Sequence, residues 1–471
     1  MRASSILTTF ATVGLLVGCS ESDPATDALC EGVEGPCVGF RADSYTEDDV
    51  LEAFVTAESG QTIVFGAGTF NFTRELSLDA TDAVIRGQGM HETILDFADQ
   101  SAGHGILVEA PGDRFLVEDL AIIDARQNGI EVRNTRGIVF RRIRVEWTAD
   151  PYEYNPDDFG EGEVTDASER SPFGRYGIYP TSCNHVLVED IEVRRASDAG
   201  VYVGSCNDAV LRFNYATENV SGYQVENTLR ADVYGNVAEN NVLGILVHDL
   251  PQQSVNANGD QTRVFDNELR ANNFVNFALP QDLTNSIPSG SGMIVLARGN
   301  VEVRDNAFSD NESLNLAVAS FYMMSSSFST ANGYDPYPAD VQISGNTFSG
   351  GGDKPETERR GRAIEFGVFF EYLRNQDGFG GRVPDIIYDG IRDPAVDEED
   401  PNSMNICLGA SPHGSFVNLN IDPANLSPVD LSALAAAVSL DSSPFACPGS
   451  GPLPAVELDL WDGAGYDPER R

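Results

Sequence analysis

Lysine is almost missing. Of 30 basic residues in the 471-residue chain only Lys354 is lysine, set against 73 acidic residues and a net charge of −43. Such a balance excludes nucleic-acid backbones and anionic lipid surfaces as natural partners, and it suits a highly hydrated surface. Beyond the N-terminus no run is apolar enough to span a bilayer. The chain has no Cys-x-x-Cys-His for haem, and its cysteine spacings do not suggest zinc. Its acidic residues follow neither an EF-hand nor a glycine–aspartate nonapeptide repeat.

What the chain does have begins with an export signal at residues 1–19. Met1-Arg2 precedes an apolar run from Ile6 to Val17, which ends in Leu16-Val17-Gly18-Cys19. That ending resembles the lipobox of bacterial lipoproteins. The resemblance implies lipidation of Cys19, contact with membrane through that lipid alone, and, with Ser20 next, residence at the outer membrane of the cell envelope. Residues 20–43 read as an acidic tether. Six further cysteines suit an oxidising compartment. Cys30 and Cys37 can pair around Gly35-Pro36, and Cys407 with Cys447 would tie the C-terminal segment. Cys183 and Cys206 can bridge or remain as stacked thiols. Oligomeric state is left open.

From Tyr176 to Asp249 the chain repeats. Glycines at 177, 200, 222 and 244 recur at steps of 23, 22 and 22 residues, each opening an alternating apolar run such as Gly200-Val201-Tyr202-Val203. A fixed period in the twenties marks a solenoid whose turns each add a rung to parallel sheets. Further rungs open at Gly105, Gly129 and Gly292. Alternation turns Ile106/Val108, Ile130/Val132, Val201/Val203 and Ile245/Val247 inward. Asparagines at corners (Asn236, Asn267, Asn306, Asn346) suit left-handed backbone positions and hydrogen-bonded ladders. Before the repeats, Thr46 and Asp49 form a capping box for a helix to about Ser59, with Val50, Leu51, Phe54 and Val55 on one face. This helix would cover the open apolar end of the coil.

Thr62-Ile63-Val64-Phe65 with Gly66-Ala67-Gly68-Thr69-Phe70, then Ile85-Arg86-Gly87-Gln88-Gly89, then Thr93-Ile94-Leu95-Asp96, resembles the start of pectin-lyase-like right-handed parallel β-helices. The rungs at Asp198–Gly204 and Gly244–Pro251 resemble those of bacterial exported parallel β-helix repeat proteins of unassigned function. The resemblance covers roughly residues 45–350. The expected fold is all-β: a right-handed parallel β-helix over 44–375 with an N-terminal capping helix. Arg362 to Glu371 is read as one more rung. An irregular segment at 376–471 carries a short helix opened by Ser427-Pro428.

Interruptions at Trp147–Arg175, Pro251–Gln261, Pro280–Ser291 and Ser325–Asp340 read as loops beside the coil, often its binding face. Outward columns of the glycine-led strands hold Glu131, Tyr179, Tyr202, Gln224 and Leu246, and, two residues on, Arg133, Thr181, Gly204, Glu226 and His248. Arg133, Tyr179, Tyr202 and Gln224 could stack on sugar rings and bond hydroxyls. Glu226 and His248 lie one rung apart. The pair is a candidate general base held by a carboxylate, or else an exposed polar pair on a sheet surface. Asp150-Pro151-Tyr152-Glu153 resembles the Asp-Pro-His-Glu/Asp signature of mannuronan C5-epimerases, with Tyr152 in place of histidine. Fragments similar to polygalacturonase motifs, Asp157-Asp158 and Gly103-His104-Gly105, occur in the wrong order and are set aside.

No cofactor is certain. Asp150, Glu153, Asp157, Asp158, Glu161, Glu163 and Asp166 could collect Ca²⁺, or form a solvated acidic loop. Two functions follow. One is binding or modification of polysaccharide, in the form of uronate lyase or epimerase chemistry with Glu226, His248 and Tyr152. Calcium or the arginines Arg133, Arg175 and Arg230 would then offset the sugar's charge. The other is a non-catalytic surface scaffold. A cleft where His248, Glu226 and an arginine converge favours the first, and a flat polar wall the second.

Overall fold

Parallel strands recur once per turn, as the glycine spacing requires, and stack into the faces of a prism. The computed structural model describes residues 28–109, 112–154, 171–253, 255–358, 362–396, 399–409, 414–426, 436–448 and 451–470. The export signal, Cys19, most of the acidic loop and the Ser427-Pro428 helix start lie outside those residues. A front sheet of eleven strands runs from Leu76–Leu78 to Phe416–Asn418. A back sheet starts at Cys37–Phe40 and ends at Ile406–Cys407, and a third face runs from Gly68–Asn71 to Thr347–Ser349. Two long strands, Asp113–Ile123 and Arg136–Glu146, belong to both of the latter. They bend where Asp119 and Arg142 take φ of 62° and 50°.

The inward residues named above are all fully buried in one continuous core. At the corners the asparagine side chains do stack. Asn214, Asn236, Asn267, Asn306 and Asn346 form one ladder, each Nδ2 2.9–3.0 Å from the next Oδ1. A second ladder joins Asn219, Asn241, Asn272 and Asn311. The left-handed backbone falls one residue earlier than expected, on Gly235, Asp266, Asp305 and Gly345. The preceding residue makes the turn, which leaves the asparagine free to point its amide along the stack.

Helix α1 (Glu47–Val55) closes the N-terminal end. Its Thr46 cap accepts the Asp49 N–H at 3.2 Å, and Val50 and Phe54 are buried. Val55, expected on the same face, is 73% exposed. The coil reaches further than 44–375, because strands Ile386–Tyr388, Ile406–Cys407 and Phe416–Asn418 continue the ladders in parallel. Arg362 to Glu371 is not a rung but the first part of helix α2 (Arg362–Arg374). It packs Phe369, Phe370 and Leu373 against outward residues of the front sheet, including Ile387 and Val417. Tertiary burial overrides a β-like local pattern there. The expected disulfides Cys30–Cys37 and Cys407–Cys447 are formed, and of the two alternatives left for Cys183 and Cys206 the structure has the bridge. At the C-terminal end Phe445 packs on Tyr388 and Phe416. Residues 456–470 then lie as a strap along the back sheet, over an apolar stripe of Leu116, Val139, Leu187 and Val210.

Candidate functional site

The two outward columns stand in the expected register. Tyr202 pairs with Gln224 and then Leu246, while Gly204 pairs with Glu226 and then His248. An uncovered column would be exposed, yet Glu226 is only 5% and His248 only 2% exposed. The alternative of an exposed polar pair is therefore corrected. Residues 250–253, 280–286 and 321–325 rise around them and wall a cavity of about 520 Å³. Its lining includes Arg175, Tyr176, Asp198, Gln224, Glu226 and His248.

His248 Nε2 lies 3.2 Å from Glu226 Oε2. The other Glu226 oxygen accepts from Gln253 Nε2, and the Tyr202 hydroxyl also bonds this carboxylate. Glu226 is thus fixed by groups from three segments. With Nε2–H donated to Glu226, the imidazole presents Nδ1 as a lone pair, and that atom has no hydrogen-bond partner among the described residues. A buried, oriented histidine with one vacant basic nitrogen can take a proton. Gly204 serves the same arrangement: a Cβ there would lie 2.4 Å from the Tyr202 ring, which folds over it.

Beside this pair stands a second charged group. Arg175 Nη2 donates to Asp198 Oδ2 at 2.9 Å and to Asp282 Oδ1 at 2.7 Å. Asp198 also accepts from the Tyr176 hydroxyl at 2.7 Å and the Thr284 hydroxyl at 2.9 Å, and Gln224 Nε2 lies 3.2 Å from it. Burial, and then the neighbouring Asp198 charge, push Asp282 up to about 7, with Arg175 opposing. Its Oδ2 has no partner among the described residues.

Tyr176, Tyr179 and Tyr202 form one cluster, with ring centroids 4.5–4.9 Å apart. Burial, reinforced by Glu131 and Glu226, pushes the Tyr179 phenol up to about 12. Tyr176 lines the cavity, and the cluster extends from it through Tyr179 towards Glu131, which lies 3.2 Å from His104 Nδ1.

The family profile described as right handed beta helix region matches residues 99–348. The chain belongs to this family. No curated protein sequence matches it. Among solved structures this right-handed β-helix is similar to the A-module of mannuronan C-5 epimerase AlgE4 from Azotobacter vinelandii. The identity is 16% over 65% of this chain and 83% of that one, with a TM-score of 0.40. A GH87 alpha-1,3-glucanase from Streptomyces thermodiastaticus strain HF3-3 is 12% identical over 74% of this chain and 48% of that one, TM-score 0.41. DFA-IIIase from Arthrobacter chlorophenolicus A6 is 11% identical over 74% and 92%, TM-score 0.39.

The β-helix brings Glu226, His248 and Gln224 together at the cavity, with Tyr202 and Tyr179 alongside. Tyr152 stands elsewhere. It is 70% exposed, rests edge-on against Phe274 at 5.3 Å, and does not line the cavity. Asp150 caps the short 3₁₀ turn Pro151–Glu153, which accounts for the Asp-Pro-Tyr-Glu run. Arg133 is held by Glu131 and Glu109, and Arg230 faces the opposite side of the coil, paired with Asp208. No cluster of three or more potential metal ligands occurs among the described residues. Sequence reasoning missed Asp198, Asp282 and Gln253; the 23-residue step from Arg175 to Asp198 is itself one period of the coil, while Asp282 and Gln253 carry no periodic signal and lie in segments whose interruption of the period flags them.

Proposed function

We propose that the walled cavity binds a segment of polysaccharide and that His248, oriented by Glu226, transfers a proton on it. One observation carries this: a buried histidine bonded through one nitrogen to a fixed carboxylate, its other nitrogen vacant, at the edge of a cavity of about 520 Å³. The tyrosine cluster and Gln224 supply the stacking and hydroxyl-bonding groups that sugars need. Convergence of Arg175, Glu226 and His248 in a cleft favours an enzyme over a scaffold.

The charge of the cavity bears on the sugar. Lyase or epimerase action on a uronate needs a cation to neutralise the sugar carboxylate, and Arg175 is already shared by two aspartates. An uncharged sugar at the reacting position fits better than a uronic acid. Display at the envelope through lipidated Cys19 belongs to the same proposal and would set the protein against extracellular glycans.

Purified protein incubated with neutral and uronic-acid glycans, read by reducing-end release and by absorbance of unsaturated products, tests it. Activity should fall on the order of 10²–10⁴-fold in His248→Ala, and Glu226→Gln should fall with it. Absence of binding and turnover on every glycan would leave the scaffold as the function.

A further inference from the structure

The outward columns change character just past the cavity. Gln224 is followed by Leu246, Ile294, Ala317 and Ile387, and His248 by Leu296 and Ala319. Four turns of a sheet facing outward with hydrocarbon need a cover, and helix α2 with Met323 and Met324 supplies most of it. The cover does not close completely. Between Leu246, Ile294 and Ala317 below and Phe370 above, a slot of about 70 Å³ remains. Ser286 and Met324 border both this slot and the polar cavity, so the two are neighbours along one sheet face. Among the described residues the one charged group at the slot is Asp389, and its two oxygens accept the Ser320 and Ile391 backbone N–H groups at 2.7 and 3.0 Å.

Resting on the saccharide assignment above, we propose that the slot receives a short alkyl or acyl group carried by the bound sugar. Water gains nothing there. An ordered water needs two to four polar partners, and hydrocarbon-lined cavities stay dry. An unfilled slot also forgoes dispersion contacts that carbon atoms would supply. The polar cavity offers hydroxyl partners and the slot offers none, so the occupant must be polar at one end and apolar at the other. The small volume limits the apolar end to a few carbons, as in an acylated sugar, rather than a membrane lipid chain. Ala317 and Ala319 keep the slot open, since larger side chains there would fill it.

Titration calorimetry with methyl, butyl, hexyl and octyl β-glucosides below their micelle-forming concentrations tests the proposal, with 1-hexanol as a probe lacking sugar. Each added methylene should tighten binding about fourfold until the slot is full, after which affinity levels off. Hexanol should bind saturably at one site. Ala317→Phe should abolish hexanol binding and the chain-length gain while leaving methyl glucoside unaffected, and Ala319→Leu serves if the first variant does not fold. Hexanol that fails to saturate, or that binds Ala317→Phe as well as the parent protein, overturns the slot. Hexanol bound in the slot with every glucoside silent overturns its link to a sugar while the apolar site itself survives, and the saccharide assignment is then decided separately by the glycan incubations above.

Discussion

Replacing Arg298 by methionine should unsettle the cavity from behind. Arg298 is fully buried, and its Nη1 meets Asp249 Oδ1 at 2.6 Å while Nη2 bonds the Thr262 hydroxyl at 2.8 Å and the Thr228 carbonyl. Asp249 also accepts the Gly259 N–H at 2.8 Å, and its carbonyl accepts the Tyr334 hydroxyl at 3.0 Å. One ion pair therefore pins the bases of two insertions that help to wall the site. Methionine would leave the Asp249 carboxylate buried without its partner, at a cost of about 3–5 kcal/mol. With an unfolding entropy of roughly 2.1 cal/mol/K per residue over about 400 residues, 1 kcal/mol corresponds to about 1 °C, so Tm should fall by about 3–6 °C. Amide exchange across 250–259 should rise first, since local opening precedes global unfolding. Adding Asp249→Asn removes the stranded charge, and the double variant should be less destabilised than the two single costs summed, by about 0.5–3 kcal/mol. Gly259→Ala gives an independent arm, because its Cβ would fall 1.0 Å from Arg298 Nη1. A loss under about 1 kcal/mol in Arg298→Met, or strict additivity of the pair, would refute the argument.

Asn267→Ala should cost about 2–5 kcal/mol by thermal unfolding, since it strips the Asn236 N–H and amide of their acceptor and takes one donor from the Val233 carbonyl; a change below 1 kcal/mol speaks against the ladder as a stabilising element. Asp282 is pushed up to about 7, above its unfolded value of about 3.9, so the folded state holds the extra proton between those limits and stability falls as pH rises from about 4 to about 7. Asp389, pushed up to about 7 by burial, adds a slope of the same sign. Asp282→Asn should accordingly flatten Tm against pH over that window only in part, and an unchanged profile contradicts the assignment. Truncation after Gly451 should bare the stripe of Leu116, Val139, Leu187 and Val210, giving dye binding and light scattering that the full chain lacks. A truncated protein that stays monomeric and dye-silent would show that the strap covers nothing that matters.

The sequence made the ladders legible because a solenoid converts spacing into contact. Glu226 and His248, 22 residues apart, had to meet once the period was recognised, and the closeness of Cys183 to Cys206 follows from the same step. Helix α2 was not legible. Its run from Arg362 alternates apolar and polar residues well enough for a rung, and what makes it helical is the apolar outward face it covers, formed by rungs as distant as Ile294 and Val417. Asp282 was unreadable for a related reason. Asp198 stands one 23-residue turn beyond Arg175 and meets it through the coil, but only the path of an insertion brings Asp282 to the same arginine, and no periodicity encodes that path. Tyr152 misled because a four-residue likeness has a sufficient local cause, an aspartate capping a 3₁₀ turn.

The location of the cavity follows from one turn of the coil. Leu243 pairs with Ser291 in unbroken register, although the chain between them is more than twice as long as in each of the three turns before it. Register is fixed by the buried columns, so the surplus residues cannot stay in the coil and must leave at its corners. They leave at 250–259 and at 271–290, on either side of the strand that carries Arg263 and Val264. Both excursions return over the front sheet, the first supplying Gln253 to Glu226 and the second Asp282 and Thr284 to Arg175 and Asp198. Polar side chains that would be ordinary on an open sheet thereby become desolvated and held in fixed pairs, which is the condition under which an imidazole and a carboxylate can do acid–base work. Deleting only the 280–286 excursion should then lower saccharide binding at Arg175 and Asp198 while leaving the His248–Glu226 pair in register, because that pair is set by the coil and the surplus residues merely cover it.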